Sequence, residues 1–218
     1  MSEQQKQKKV PFYSAAVRWL YRRFVSLLSP RAGRRSAEKQ REQLAAQDVR
    51  GRYIFSQHRD AAAEMSFGHS TFSHAGCGTI AVYNLLFDMG QDVALSQVLY
   101  AAQRQGTVVA GGRLGSNPRR MGKLLQQFGQ SAQLCITEQE FFDTFSQGDR
   151  AIVCFWHSDD IRDGAHFVFA AARKTPARYA VYNSLRRGFA DRPLMLREKA
   201  EIWGSGRYIT AWVVKAKQ

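Results

Sequence analysis

From Ile80 to Met89 the chain is apolar almost all round a helical wheel, with Ile80, Val82, Leu85, Leu86, Phe87 and Met89 leaving no clearly polar face. A helix of that kind is buried, so the rest of the chain has to wall it in. Gly90 is its expected C-terminal cap. Its mouth is Gly76-Cys77-Gly78, which puts a thiol in the first turn, at the positive end of the helix macrodipole, where thiolate is favoured over thiol. Glycine on both sides lets a substrate backbone approach the sulfur closely. Two readings stand for Cys77: a mounted nucleophile, or a small core residue beside a turn.

The chain's 218 residues and 44% hydrophobic content suit one domain of ordinary size with an appendage. The formal charge of +14 is unevenly spread. Residues 1–52 hold 13 Lys/Arg against 4 Asp/Glu, a net of +9, which leaves +5 for the other 166 residues. The basic character therefore belongs mainly to an N-terminal arm and speaks of a partner of that arm. Cys77, Cys135 and Cys154 are odd in number and unpatterned in spacing, so neither a disulfide framework nor a structural zinc site is expected. A reducing, cytoplasmic setting fits. No apolar run reaches the roughly 18 residues that a membrane span needs.

In the arm, Phe12, Ala16, Trp19, Leu20, Phe24, Leu27 and Leu28 recur at helical spacing, with Arg18, Arg22 and Arg23 elsewhere on the wheel and Pro30 as the stop. A second, polar helix is expected from Ser36 to about Gln47. The arginines interrupt what a signal peptide would keep apolar. Such an arm suits an anionic membrane surface, a protein partner, or packing on the domain with a solvated basic face. Residues 53–76 read as loop and short turns. After Gly90, Asp92 is expected to cap a helix through Leu95, Val98, Leu99 and Ala102 that stops at Gly106.

The loop holding Gly111-Gly112 lacks the Lys-Ser/Thr spacing of a phosphate loop and reads as a turn. Asn117-Pro118 opens a helix with Met121, Leu124, Leu125 and Phe128 on one face. Residues 131–136 read as a short strand, and Thr137-x-x-Glu140 as a capping box before Phe141, Phe142 and Phe145. Strands follow over 151–156, 166–171 and 178–183, then a helical piece over Leu196–Trp203 and a last strand over Tyr208–Val214. Helices first and an antiparallel sheet after make an α+β layout, with an arm at 1–52 and a domain at 53–218.

A thiol nucleophile needs a base and a group that orients the base. Of the five histidines, His166 follows Asp163-Gly164-Ala165 and begins a buried strand, while His157, ending the strand before, is its competitor. Asn183 ends the next strand, where its side-chain oxygen could accept the imidazole N–H and hold the productive tautomer. A half-exposed strand histidine and a turn asparagine are the plain alternatives.

Gly76-Cys77-Gly78-Thr79-Ile80-Ala81, Gly164-Ala165-His166-Phe167-Val168 and Tyr182-Asn183-Ser184 together resemble the papain-like cysteine peptidases, in particular the bacterial branch that removes double-glycine leaders from bacteriocins, with its stand-alone relatives. Gly115-Ser116-Asn117-Pro118 and the helix after it resemble the Gly-Thr-x-Pro segment of those relatives. The likeness spans about Tyr53 to Lys215. It implies a papain-like fold, with the nucleophile helix packed on a C-terminal antiparallel sheet. It also implies Cys77 as nucleophile, His166 as base and Asn183 as third member, where many relatives carry Asp before Pro.

The family's oxyanion-hole Gln, six residues before the cysteine, is Thr71 here, with Ser70, Ser73 and His74 nearby and Gln57 in reach if its loop folds back. One lost donor of that kind costs about 10²–10³ in rate. The resemblance thus implies a peptide-processing thiol hydrolase that works through a thioester, without cofactor or metal, on a peptide or protein substrate. An acyltransferase using the same three residues and a silent peptide-binding module are the alternatives. Charge alone supports nucleic-acid binding, which is disfavoured for want of any recognisable module.

Overall fold

The computed structural model describes residue 37 and residues 49–60, 62–158, 164–174, 178–186 and 191–216. The amphipathic helix expected at 12–28 and nearly all of the one expected at 36–47 lie outside the described residues.

The buried helix forms as its composition requires. It is α2, Cys77–Asp88, and every residue from Cys77 to Leu86 is buried. Ahead of it stand a two-stranded hairpin, β1 (Ser66–Phe67) and β2 (Ser70–Thr71), and a single turn, α1 (Phe72–Ala75). Residues 53–76 are thus more ordered than a loop. The hairpin's backbone lies so close to the Gly111-Gly112 loop that a side chain at Gly112 would strike the Phe67 carbonyl, which gives that loop a packing role.

After α2 comes α3 (Leu95–Arg104), then a 3₁₀ turn at Pro118–Arg120 leading into α4 (Met121–Gln127). Asn117 starts this piece as expected, its side chain accepting from the Arg119 N–H at 3.0 Å. Asp92 does not cap α3. Ala94 occupies that position, and its N–H is taken up by the Gln97 side chain at 3.0 Å, while Asp92 pairs with Arg50 at the surface. A polar group inside the first turn has done the work of a cap before it.

The second half is a sheet of six antiparallel strands. They are β3 (Gln133–Cys135), β4 (Arg150–Trp156), β5 (Ala165–Ala172), β6 (Tyr179–Tyr182), β7 (Leu194–Leu196) and β8 (Arg207–Val214), in the order β3-β8-β4-β5-β6-β7. The protein is an α+β fold. Its central strands are buried on both faces. Ile152, Cys154, Phe167 and Phe169 meet the α2 side, where α3 and α4 complete the layer. Val153, Phe155, Val168 and Val213 face the other way, against Phe141 and Phe145 of α5 (Glu138–Thr144), Ile202 and Trp203. Burial on two faces is why β4 and β5 read as continuous apolar runs instead of alternating. The box at Thr137 forms in both directions, with Glu140 N–H to Thr137 Oγ1 at 3.1 Å and Thr137 N–H to Glu140 Oε2 at 3.2 Å.

The short helical piece expected at Leu196–Trp203 is present as a 3₁₀ helix, Lys199–Ile202, with Leu196 itself belonging to β7. Pairing with β6 (Tyr179 opposite Leu196, Val181 opposite Leu194) outweighs local helix propensity there. At the N-terminal side the packed body reaches back to Val49, which is buried and accepts the Leu95 N–H at 2.9 Å. Residues 52–57 run as a strap along α2. The Tyr83 hydroxyl donates to the Arg52 carbonyl at 2.8 Å, and Asn84 closes both polar groups of Ile54 at 2.9 and 2.8 Å.

Candidate thiol–imidazole site

Cys77 is the first residue of α2, and Gly76 precedes it as the cap. The two glycines do not open the sulfur to a substrate, as the sequence suggested. A side chain at Gly76 would strike the ring and Cα of Phe72, and one at Gly78 would come within 2.6 Å of both Met121 and Ser116. They are small because α1 and the 116–121 segment press on the helix start from two sides. Gly78→Ala is therefore expected to lower stability by about 1–3 kcal/mol through overpacking, read as a shifted urea midpoint with an unchanged slope. An unchanged midpoint would show that Met121 and Ser116 yield freely.

Cys77 is only 7% exposed. Burial pushes its thiol up to about 11, and backbone hydrogen bonding from Phe167, Gly78 and Cys77 itself recovers only part of the loss. The thiolate that the helix terminus was expected to favour is not the resting form.

Phe167 belongs to β5, and the residue before it is His166, one step inside the strand and 4% exposed. Burial pulls its imidazole down to about 4, partly offset by the Asn183 backbone, with small further lowering from His157 and His58. Its Nε2 lies 2.7 Å from the backbone carbonyl oxygen of Asn183. A carbonyl can only accept, so Nε2 carries the proton and Nδ1 of the neutral ring holds the free lone pair. The ring stands edge-on to Phe155 at 5.8 Å. His157, the competitor, is exposed.

The sequence paired His166 with Asn183, and the structure does bring them together, but through a different atom. Continuing the β5–β6 register beyond Phe169 opposite Tyr182 would set Asn183 opposite Val168. The ladder ends there instead, because Asn183 has a φ of +60° and its carbonyl turns toward the histidine. Its side chain is directed elsewhere. Asn183 Oδ1 accepts the Gln57 N–H at 2.8 Å, and its Nδ2 donates to Gln57 Oε1 at 3.2 Å.

The loop holding Gln57 has therefore folded back onto the site, yet the Gln57 amide nitrogen donates to the Ser73 carbonyl at 2.9 Å. Thr71, the expected oxyanion donor, has its hydroxyl 2.9 Å from that of Ser73. Gln57 is the residue that sequence reasoning undervalued, since nothing in Ser56-Gln57-His58 marks an amide that will be buried against a strand 126 residues away.

Among the described residues there is no group of three or more His, Cys, Asp or Glu able to hold a metal ion, and no helix is long and apolar enough to cross a membrane. What these residues offer chemically is a neutral thiol at a helix start and, on the strand that packs against that helix, a neutral imidazole of fixed tautomer lying beside Phe155. Compared with models of known protein families and with curated proteins, the chain matches none.

Proposed function

We propose that the chain is a thiol-dependent hydrolase of papain-like architecture, acting on peptide or protein substrates through Cys77 and His166, with Asn183 as the third member. The observation that carries this reading is that Cys77, at the head of α2, packs in one buried cluster with Phe167 of β5, next to an imidazole whose Nε2 proton is fixed on the Asn183 carbonyl. In the reaction, Nδ1 of His166 takes the thiol proton as the sulfur bonds to the scissile carbonyl carbon. The C–N bond then breaks, the imidazolium returns its proton to the leaving amine, and a thioester remains. Water, deprotonated by the same ring, attacks the thioester, and acid and thiol are released. Because both groups rest neutral, His166 acts as a general base during attack, with no thiolate formed beforehand.

A second reading has its own support. A cysteine only 7% exposed and a Gln57 amide already committed to Ser73 suit a silent domain that holds a peptide without cleaving it. In either case the basic arm, residues 1–52, would serve as the docking element for an anionic membrane surface or an acidic protein partner.

p-Nitrophenyl acetate separates the two. Turnover through Cys77 should release a burst of nitrophenol equal to the protein and leave an acetyl group on the peptide that contains Cys77. The burst should vanish in Cys77→Ala, and its rate should fall at least about a hundredfold in His166→Ala, the lower limit for general-base catalysis. An unacylated wild type, or a His166→Ala variant that acylates at the wild-type rate, would favour the silent domain.

A further inference from the structure

We propose that Gln57 is a positioning residue: by gripping the Asn183 side chain it holds that residue's backbone in the left-handed region and so fixes the tautomer of His166. The proposal rests on the hydrolase reading only where it gives Nδ1 the role of base; the tautomer is a property of the folded protein whether or not it turns anything over.

The grip is a closed ring of two hydrogen bonds between buried partners. The Gln57 N–H binds Asn183 Oδ1, and Asn183 Nδ2 binds Gln57 Oε1, with the two residues 5% and 1% exposed. Gln57 is itself held from two directions. Its Nε2 donates to the carbonyl of Ser73, four residues before Cys77, and the strap that carries it is bound to α2 through Tyr83 and Asn84. The chain of contacts therefore runs from the helix bearing the thiol, through the strap and Gln57, to Asn183 and on to the imidazole.

The backbone explains why a grip is needed. Asn tolerates a φ of +60° better than most residues, but the extended region remains open to it at a strand end. In the extended conformation the carbonyl would swing away, Nε2–H would lose its acceptor, and the other tautomer would become equally acceptable. Buried Asn and Gln side chains unable to find each other would also be left unsatisfied, which further favours the paired state.

Nitrogen-15 NMR of the histidine rings in the full-length protein tests this, since protonated and bare ring nitrogens resonate far apart. Wild-type His166 should show one neutral form at pH 7, protonated on Nε2. Gln57→Ala should produce a mixture in which the Nδ1–H form reaches at least a tenth of the population, while the other four histidines keep their signals. Asn183→Ala is the second variant. Alanine keeps the backbone carbonyl but offers Gln57 nothing to grip and does not favour a positive φ, so the same mixture is expected. Should Gln57→Ala fail to fold, Asn183→Ala carries the test alone. A single Nε2–H form persisting in folded Gln57→Ala or in folded Asn183→Ala would overturn the proposal. A tautomer that responds while nitrophenyl acetate never acylates Cys77 would leave the grip standing and remove the hydrolase; acylation with an unresponsive tautomer would do the reverse.

Discussion

Iodoacetamide is expected to label Cys77 at pH 7 about a hundredfold more slowly than an unhindered thiol, with the rate climbing roughly tenfold per pH unit toward pH 11. Two effects oppose each other at this sulfur. The macrodipole of α2 contributes at most about 2 kcal/mol, little more than one pKa unit, in favour of thiolate. Removing a charged group from water can shift a pKa by about 3–5 units the other way. At 7% exposure the second effect wins.

His166 cannot reverse this as a resting cation, because burial holds it neutral down to about pH 4. Labelling that is already fast at pH 6 and flat above it would mean that a thiolate–imidazolium pair exists and outweighs desolvation. Fold has to be followed at each pH. The thiol ionises near 9 when the chain is unfolded and near 11 when folded, so stability falls by about 3 kcal/mol as pH rises through that window. Cys135 and Cys154 are more deeply buried than Cys77 and should react later still.

Asp88→Ala is expected to cost about 3 kcal/mol in urea unfolding. Asp88 ends α2, where a negative charge meets the negative end of the helix and is disfavoured. It is kept there by three partners. Arg150 Nε reaches Oδ2 at 2.7 Å, Arg173 pairs with Oδ1, and the Tyr53 hydroxyl donates to Oδ1 at 2.6 Å.

Arg150 also binds the Asp88 carbonyl at 3.2 Å, which satisfies a helix-end acceptor. The carboxylate side chain is 1% exposed, so its loss takes the charged partner from two guanidiniums, which keep only neutral acceptors, and the acceptor from a phenol. Both arginines remain partly in water, at 22% and 33%, which is why the lower end of the range for a broken buried pair applies. Asp88→Asn, which keeps the volume and one acceptor oxygen, should cost about half as much. A midpoint in Asp88→Ala equal to wild type would show that the two arginines find other partners at no cost. Because Tyr53 stacks on Tyr182 at 4.4 Å, one residue before Asn183, loss of this hub should also loosen the strap that carries Gln57.

What was legible in the sequence was set by local and periodic chemistry. The all-round apolar stretch after Cys77 could only be a buried helix, Thr137-x-x-Glu140 could cap its own turn without help, and the apolar runs at 151–156 and 166–171 could only be interior strands. The order of these pieces determined an α+β layout, and the strand-start position of His166 together with the strand-end position of Asn183 was enough to bring the two side by side.

Tertiary structure decided the remainder, because it depended on atoms far apart in sequence. The register of β5 and β6 and a single positive φ chose the carbonyl of Asn183 over its side chain as the imidazole's partner. Packing by Phe72, Ser116 and Met121 decided why Cys77 lies between glycines, and the depth of the sulfur in that packing made desolvation stronger than the helix dipole. Pairing with β6 turned Leu194–Leu196 into a strand. Gln57 acquired its place only when residues 52–57 were laid along α2, since an amide has no preferred partner until burial removes water as the alternative.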